Sequence, residues 1–122
     1  MTMYYSQYHE WVLINGTKAR VGITDKAQHE LKEIVFIDLP SVGKAIGKGQ
    51  EICVVESTKA ATDLCSPLSG KITHVNDHLK ENCMQMQTMS EKDRWIYEIE
   101  LDDLAELDEL LTEGQYRSLQ CH

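Results

Sequence analysis

Lys59 sits in the run Val55-Glu56-Ser57-Thr58-Lys59-Ala60-Ala61-Thr62-Asp63-Leu64, at the tip of a tight turn between two alternating, strand-like segments. A hairpin does not require a lysine there, and an exposed turn lysine taken alone carries no message. Its flanks change the reading. Gly43 lies 16 residues before it and Gly70 lies 11 after, and glycine permits the tight backbone that flanking turns need. Glu56 stands three residues before, and the small Ala60 and Ala61 follow directly. An amine presented in this way makes sense as a point of covalent attachment. The reactive group would then be a cofactor hung on Lys59 rather than a side chain in a pocket.

The other reactive side chains form no competing site. Cys53, Cys65, Cys83 and Cys121 make no CxxC pair, so neither a zinc nor a thioredoxin-type signature is present. Without a secretion signal all four read as reduced thiols. Cys53 and Cys65 fall in strand-like segments as small core residues, and Cys121-His122 reads as a frayed end. His74 and His78 are four apart, but Val75-Asn76-Asp77 between them reads as a strand running into a turn. Only a helix would bring those two side chains to one face.

Bulk properties narrow the function further. The net charge of −8 argues against binding a phosphate backbone, which needs clustered Lys and Arg. Eight carboxylates and no base lie between Glu98 and Glu113, the pattern of a solvated helix face. No apolar run approaches the roughly 20 residues that span a bilayer. Met1-Thr2-Met3-Tyr4-Tyr5 has neither a basic start nor an apolar stretch, so no signal peptide is read there. The expected compartment is a bacterial-type cytoplasm, or a mitochondrial matrix if the chain is a processed form.

Many short strands are expected around this lysine. Trp11–Ile14 and Thr17–Ile23 flank Asn15-Gly16 as a hairpin with a type I′ turn. A short helix near 25–33 follows, with Asp25 as N-cap and Gln28 three residues on. Val35–Leu39 reads as a strand stopped by Pro40, and Val42–Gly49 as a glycine-rich loop. Strands are expected over 51–56, 61–66, 71–75 and 95–101, while Asp77–Lys92 fits no element. Leu104, Leu107, Leu110 and Leu111 follow helical spacing, and the helix is expected to continue after Gly114 over Tyr116–Leu119. The pattern is that of a small barrel or sandwich, one domain over residues 1–122. A faint echo links Lys44-Ala45-Ile46-Gly47-Lys48 with Pro67-Leu68-Ser69-Gly70-Lys71, as a pseudo-two-fold sandwich would.

The residues also resemble a known family. Tyr8-His9-Glu10-Trp11-Val12, Val21-Gly22-Ile23-Thr24-Asp25-Lys26-Ala27-Gln28, Ile34 to Gly43, Val54 to Leu64, Ser66 to Gly70 and Glu106 to Leu111 together resemble the lipoyl-bearing carriers. Among them the match is to the H proteins of the glycine cleavage system, in order and spacing over nearly the whole chain. A biotin lysine is usually bracketed by methionines, whereas Lys59 has Thr58 and Ala60.

The resemblance implies a mainly β, lipoyl-domain-like barrel-sandwich hybrid of two small antiparallel sheets. It has a short helix near 25–33 and C-terminal helices. It implies that Lys59 carries lipoate in amide linkage and that the chain is not an enzyme. The arm would take the aminomethyl group of glycine from a glycine decarboxylase to an aminomethyltransferase, and a dihydrolipoyl dehydrogenase would reoxidise it. A lipoate-attaching enzyme is the fourth partner, and a monomer is expected. The resemblance puts Glu10 in a cleft that shelters the loaded arm, Asp63 near the arm's root, and Glu56 in recognition by the attaching enzyme. Glu30 falls where some relatives have a histidine that touches the arm, so no such role is assigned to it.

Lys80–Trp95 departs from the family: no proline or glycine occurs between Gly70 and Gly114, and Arg94 precedes Trp95. In relatives this loop lies near the arm, so the change touches the cleft and partner docking. Met84, Met86 and Met89 would either form an adaptable surface or pack beneath the loop. Two alternatives stay open: a relay of lipoyl groups to other enzymes, and an interaction domain in which Lys59 stays bare.

Overall fold

The computed structural model describes residues 2–6, 9–31 and 33–120; Tyr8 of the family segment and the Cys121-His122 end lie outside them. Strands β1 (Thr2–Tyr5), β2 (Glu10–Asn15), β3 (Lys18–Ile23), β9 (Trp95–Leu101), β8 (Gly70–Val75) and β5 (Ala45–Ile46) make a six-stranded antiparallel sheet in that order. A second antiparallel sheet has three strands: β4 (Ile34–Asp38), β6 (Glu51–Ser57) and β7 (Ala61–Cys65). Short helices complete the chain: α1 (Asp25–Leu31), α2 (Asp77–Asn82) and α3 (Glu113–Gln120). The mainly β, barrel-sandwich expectation is met.

The core is β-branched, as half-buried strands favour. Val12, Val21, Ile23, Ile34, Ile37, Val55, Ile72, Ile96 and Ile99 are buried together. A one-residue slip would turn each of them outward, so burial at roughly 1.5–3 kcal/mol per side chain sets the register. A second cluster of Tyr5, Trp11 and Tyr116 brings α3 against β1 and β2. Trp11 lies over Gly22, where a Cβ would come within 2.5 Å of the indole. That close approach explains a glycine within β3.

Several local expectations are corrected. The β2–β3 loop is Gly16-Thr17, with φ +66° at Gly16, and among the described non-glycine residues only His9 has positive φ. The turn is therefore of the II′ kind, which needs positive φ only at its first central residue. The α1 cap is Thr24, not Asp25: Thr24 Oγ1 accepts from Ala27 N at 3.2 Å and Thr24 O from Gln28 N at 3.0 Å. Gly43 has φ +91° as a turn glycine should, but Gly70 is in β8, where a Cβ would stand 2.1 Å from Glu100 O. Packing rather than turn geometry selects it.

The echo segments pair with each other, Ala45 with Lys71 and Ile46 with Gly70. Residues 104–109 form a 3-10 helix, and α3 starts at Glu113, so Gly114 lies inside it. Thr112 and Gln115 cap that start reciprocally, Gln115 N donating to Thr112 Oγ1 and Thr112 N to Gln115 Oε1.

The unassigned stretch is α2 followed by 3-10 helices at Cys83–Thr88 and Glu91–Arg94. Arg94 is its hub. The guanidinium is buried and donates to Met86 O (2.9 Å), Met89 O (2.7 Å) and Asp25 Oδ1 (2.6 Å). Asp25 N in turn donates to Glu91 Oε2 at 2.8 Å. Met86 is buried in the core and Met89 is half-buried, while Met84 is 58% exposed. Two of the three methionines therefore pack under the loop.

Candidate functional site

Lys59 is exposed in the three-residue connection Thr58-Lys59-Ala60 between β6 and β7. Tight hairpin loops usually need positive φ, which none of the three residues has. Ser57 supplies another closure. Its backbone N–H donates to Ala60 O at 2.9 Å and its hydroxyl donates to the same oxygen at 3.1 Å. That hydroxyl accepts from Lys59 N at 3.2 Å and Ala60 N at 3.3 Å. Thr58 N donates to Glu33 O at 3.1 Å, tying the tip to the chain before β4. The turn is thus held by backbone and hydroxyl while the lysine side chain projects from it. The sequence does not single out Ser57, because its role is local hydrogen bonding, which Ser-Thr in a turn signals only weakly.

Glu10 is placed very differently. It pairs with Ile23 at the start of β2 and is 1% exposed. Ser6 Oγ contacts Oε1 at 3.4 Å and accepts from Glu10 N at 3.3 Å, while Oε2 is buried with no hydrogen-bond partner. Burial pushes the carboxyl up to about 8, against the smaller opposing effect of the Ser6 hydrogen bond. A buried acid with an open acceptor position is waiting for a donor, because an unpaired polar group in low dielectric is costly.

A cleft of about 180 Å3 adjoins it, lined by His9, Glu10, Ile23, Ala27, Glu30, Leu31, Thr62 and Leu64. Its walls are α1 and β7, and β7 leads directly from Lys59. Three larger hollows, of about 280, 330 and 450 Å3, are lined by no residue of β6 or β7. The 180 Å3 cleft, by contrast, shares β7 with the lysine turn. Two acidic side chains, Glu10 and Glu30, and no Lys or Arg line it among apolar walls, so a cation placed there would favour their ionised forms. These residues fit an amine-bearing arm.

The remaining expected residues separate. Thr62 and Leu64 line the cleft, and Asp63 between them is exposed, as strand alternation requires. Glu56 is exposed opposite Ala61 and Phe36, on the turn's own strand. Glu30, given no role from the sequence, does line the cleft. No described residue of 80–95 does, so the atypical loop stays off its walls. Cys53 is buried, and burial raises its thiol to about 12, which makes it inert as a nucleophile.

The chain is similar to known proteins over nearly its whole length. Residues 3–122 match the family model for the glycine cleavage H-protein. The glycine cleavage system H protein of Bartonella tribocorum is 40% identical over 116 residues, 95% of either chain. That of Thermotoga maritima is 42% identical over 113 residues, 93% of this chain and 91% of its own. The crystal structure of a glycine cleavage system H protein from Mycobacterium marinum superposes with a TM-score of 0.87 at 32% identity, covering 98% of this chain and 97% of that one.

Proposed function

The chain belongs to the glycine cleavage H-protein family, and from that premise we propose that it is a non-enzymatic lipoyl carrier. Lys59 is its attachment point, and it shuttles the aminomethyl group of glycine from the decarboxylase to the aminomethyltransferase. A bound lipoyl group supplies a dithiolane whose opening accepts that aminomethyl group and which a dihydrolipoyl dehydrogenase then restores. The chain's own residues present, shelter and release. Ser57 keeps the Lys59 amine forward for the lipoate-attaching enzyme, and Glu56 on the adjoining strand marks the turn for that enzyme. Asp63, four residues beyond Lys59, is the acid at the arm's root.

Glu10 carries the reading: a buried carboxylate oxygen without a partner, at a cleft that opens beside the strand leading from Lys59. The cargo's ammonium supplies the missing donor, and its positive charge favours the ionised carboxylate. Ile23, Ala27, Leu31 and Leu64 exclude water from a carbon bearing both nitrogen and sulfur, a group prone to hydrolysis. The whole of residues 1–122 acts as one carrier domain. It works where its partner enzymes are, in a bacterial cytoplasm or a mitochondrial matrix. Among the described residues no helix is long and apolar enough to cross a membrane. The relay alternative draws on the 80–95 loop, none of whose described residues lines the cleft.

The test is intact-mass measurement of the chain incubated with lipoate and its ligase, then with glycine and the decarboxylase. One lipoyl adduct is expected, lost completely in Lys59→Arg, followed by a glycine-dependent methylamine adduct. An equal lipoyl adduct on Lys59→Arg overturns attachment at Lys59, and a lipoylated chain that never loads overturns the glycine cleavage role.

A further inference from the structure

His9 borders the cleft, and it is the only described non-glycine residue with left-handed backbone, φ +64°. That region disfavours a residue with a Cβ, so the surroundings must hold it there. They do so at every polar atom of its main chain. His9 N donates to Ser6 O at 3.2 Å, and His9 O accepts from Thr24 N at 3.2 Å and from Thr24 Oγ1 at 3.0 Å. The ring is held by α3. His9 Nδ1 lies 2.8 Å from Tyr116 Oη, which is also 3.1 Å from Thr24 Oγ1. Tyr116 is itself 4% exposed and stacked on Tyr5, centroids 4.6 Å apart and planes 7° apart.

Counting hydrogens assigns this network. Thr24 has one hydroxyl hydrogen, which goes to His9 O. Thr24 Oγ1 is then an acceptor, taking Ala27 N–H and the Tyr116 hydroxyl. Tyr116 has no second hydrogen, so its oxygen must accept from His9 Nδ1–H. The opposite assignment, Tyr116 donating to Nδ1, satisfies one hydrogen bond fewer because Thr24 must then abandon His9 O. Buried polar groups settle on the arrangement that leaves fewest unmade.

We infer that Tyr116 is a positioning residue for the cleft: it holds His9 as the Nδ1–H tautomer and so leaves Nε2, with its lone pair, as a second acceptor beside Glu10. This rests on the carrier reading above, since the group received there is the ammonium of the loaded arm. An ammonium has three hydrogens to place. Glu10 Oε2 accepts one and His9 Nε2 accepts another, so the C-terminal helix is part of the cleft although it lines none of it.

The experiment uses the full chain, lipoylated, with and without the methylamine load. Long-range 15N–1H correlation spectra assign the His9 tautomer in the wild type and in Tyr116→Phe, which keeps the stacked ring and removes one oxygen. Nδ1–H is expected in the wild type, and a mixed or Nε2–H ring in the variant. The lifetime of the methylamine adduct in the variant should fall about fivefold, the loss of one hydrogen bond, with lipoylation unchanged. A wild-type Nε2–H tautomer overturns the inference without needing the variant. So does a variant whose tautomer is unchanged, or whose tautomer shifts while the adduct lifetime does not. A wild-type chain that is lipoylated but never loads overturns instead the carrier reading, and the ammonium role with it.

Discussion

In the lysine turn, Ser57 closes the chain around Lys59 within four consecutive residues, Ser57 to Ala60, and the working side chain stands in solvent. In the cleft, Glu10 is buried among residues from β2, β3, α1 and β7, and its neighbour His9 is held by Tyr116, 107 residues away. On the carrier reading several enzymes must find the turn, which suits its local, exposed and simple build. On the same reading the cleft must exclude water, which suits a site made where distant segments meet. Attachment and shelter are therefore separable properties, and mutations should divide between them.

The largest effect is expected from Arg94→Met, which acts on the cleft's support. The substitution strands Met86 O and Met89 O and frees Asp25 at the start of α1. Asp25 is largely exposed, so the ion pair itself contributes little, and the stranded carbonyls dominate. A loss of about 2–4 kcal/mol is expected, lowering the melting midpoint by on the order of 10 °C in a calorimetric scan. Lipoylation at a temperature where the variant is folded should stay at the wild-type level. If it falls in step with stability, turn and cleft are not separable.

Next comes Glu10→Gln, which leaves the turn alone. Losing a charge-assisted hydrogen bond of about 1.5–3 kcal/mol should shorten the lifetime of the methylamine adduct by about 10- to 100-fold, with the lipoyl adduct unchanged. The same variant carries a pH signature. Burial holds Glu10 protonated to about pH 8 in the folded chain, against an ordinary value of 4.5. Between those values the folded chain binds more protons than the unfolded one, so this group's stabilising contribution is complete below 4.5 and is lost as pH rises through 8. Urea titrations from pH 5 to 8.5 should show the variant gaining on the wild type as pH rises. A constant difference between the two would mean that Glu10 is ionised in the unloaded cleft.

The smallest effect is expected at the turn. Ser57→Ala removes the hydroxyl that closes it, which costs about 1 kcal/mol. Attachment should slow by a few-fold in kcat/KM for the ligase while adduct lifetime stays unchanged. A shortened lifetime would show that the turn also shapes the cleft.

The two regions differ equally in how far the chain announces them. Lys59 and its flanking strands stand in one continuous run, where alternation and turn residues report directly on local backbone. Ser57 does not stand out inside that run, because a hydroxyl that caps a turn resembles one that only faces water. Glu10 entered through the His9-Glu10-Trp11 segment, but its burial did not, since an acid beside a tryptophan in sequence lies on the opposite face of the strand. Glu30 falls at a position that touches the arm in some relatives, but its own residue type carries no role over, and Tyr116 gives no sign beyond a place on a helix. One lies on a helix whose facing the sequence leaves open, and the other acts through a contact with no local trace. Arg94 looked like a disturbance near the arm, yet it organises the 3-10 loop and ties it to Asp25.

By itself the sequence determined the mainly β character and the place of the lysine turn. Both depend on residues close together in the chain, whose period and turn chemistry act over a few positions. Only the tertiary structure decided that Glu10 loses its water, that Gly70 is required by Glu100 rather than by a turn, and that His9 is oriented by the C-terminal helix. Desolvation, close approach and tautomer are set by which atoms meet in space, and a linear order of residues does not encode that meeting until the sheets have closed around it.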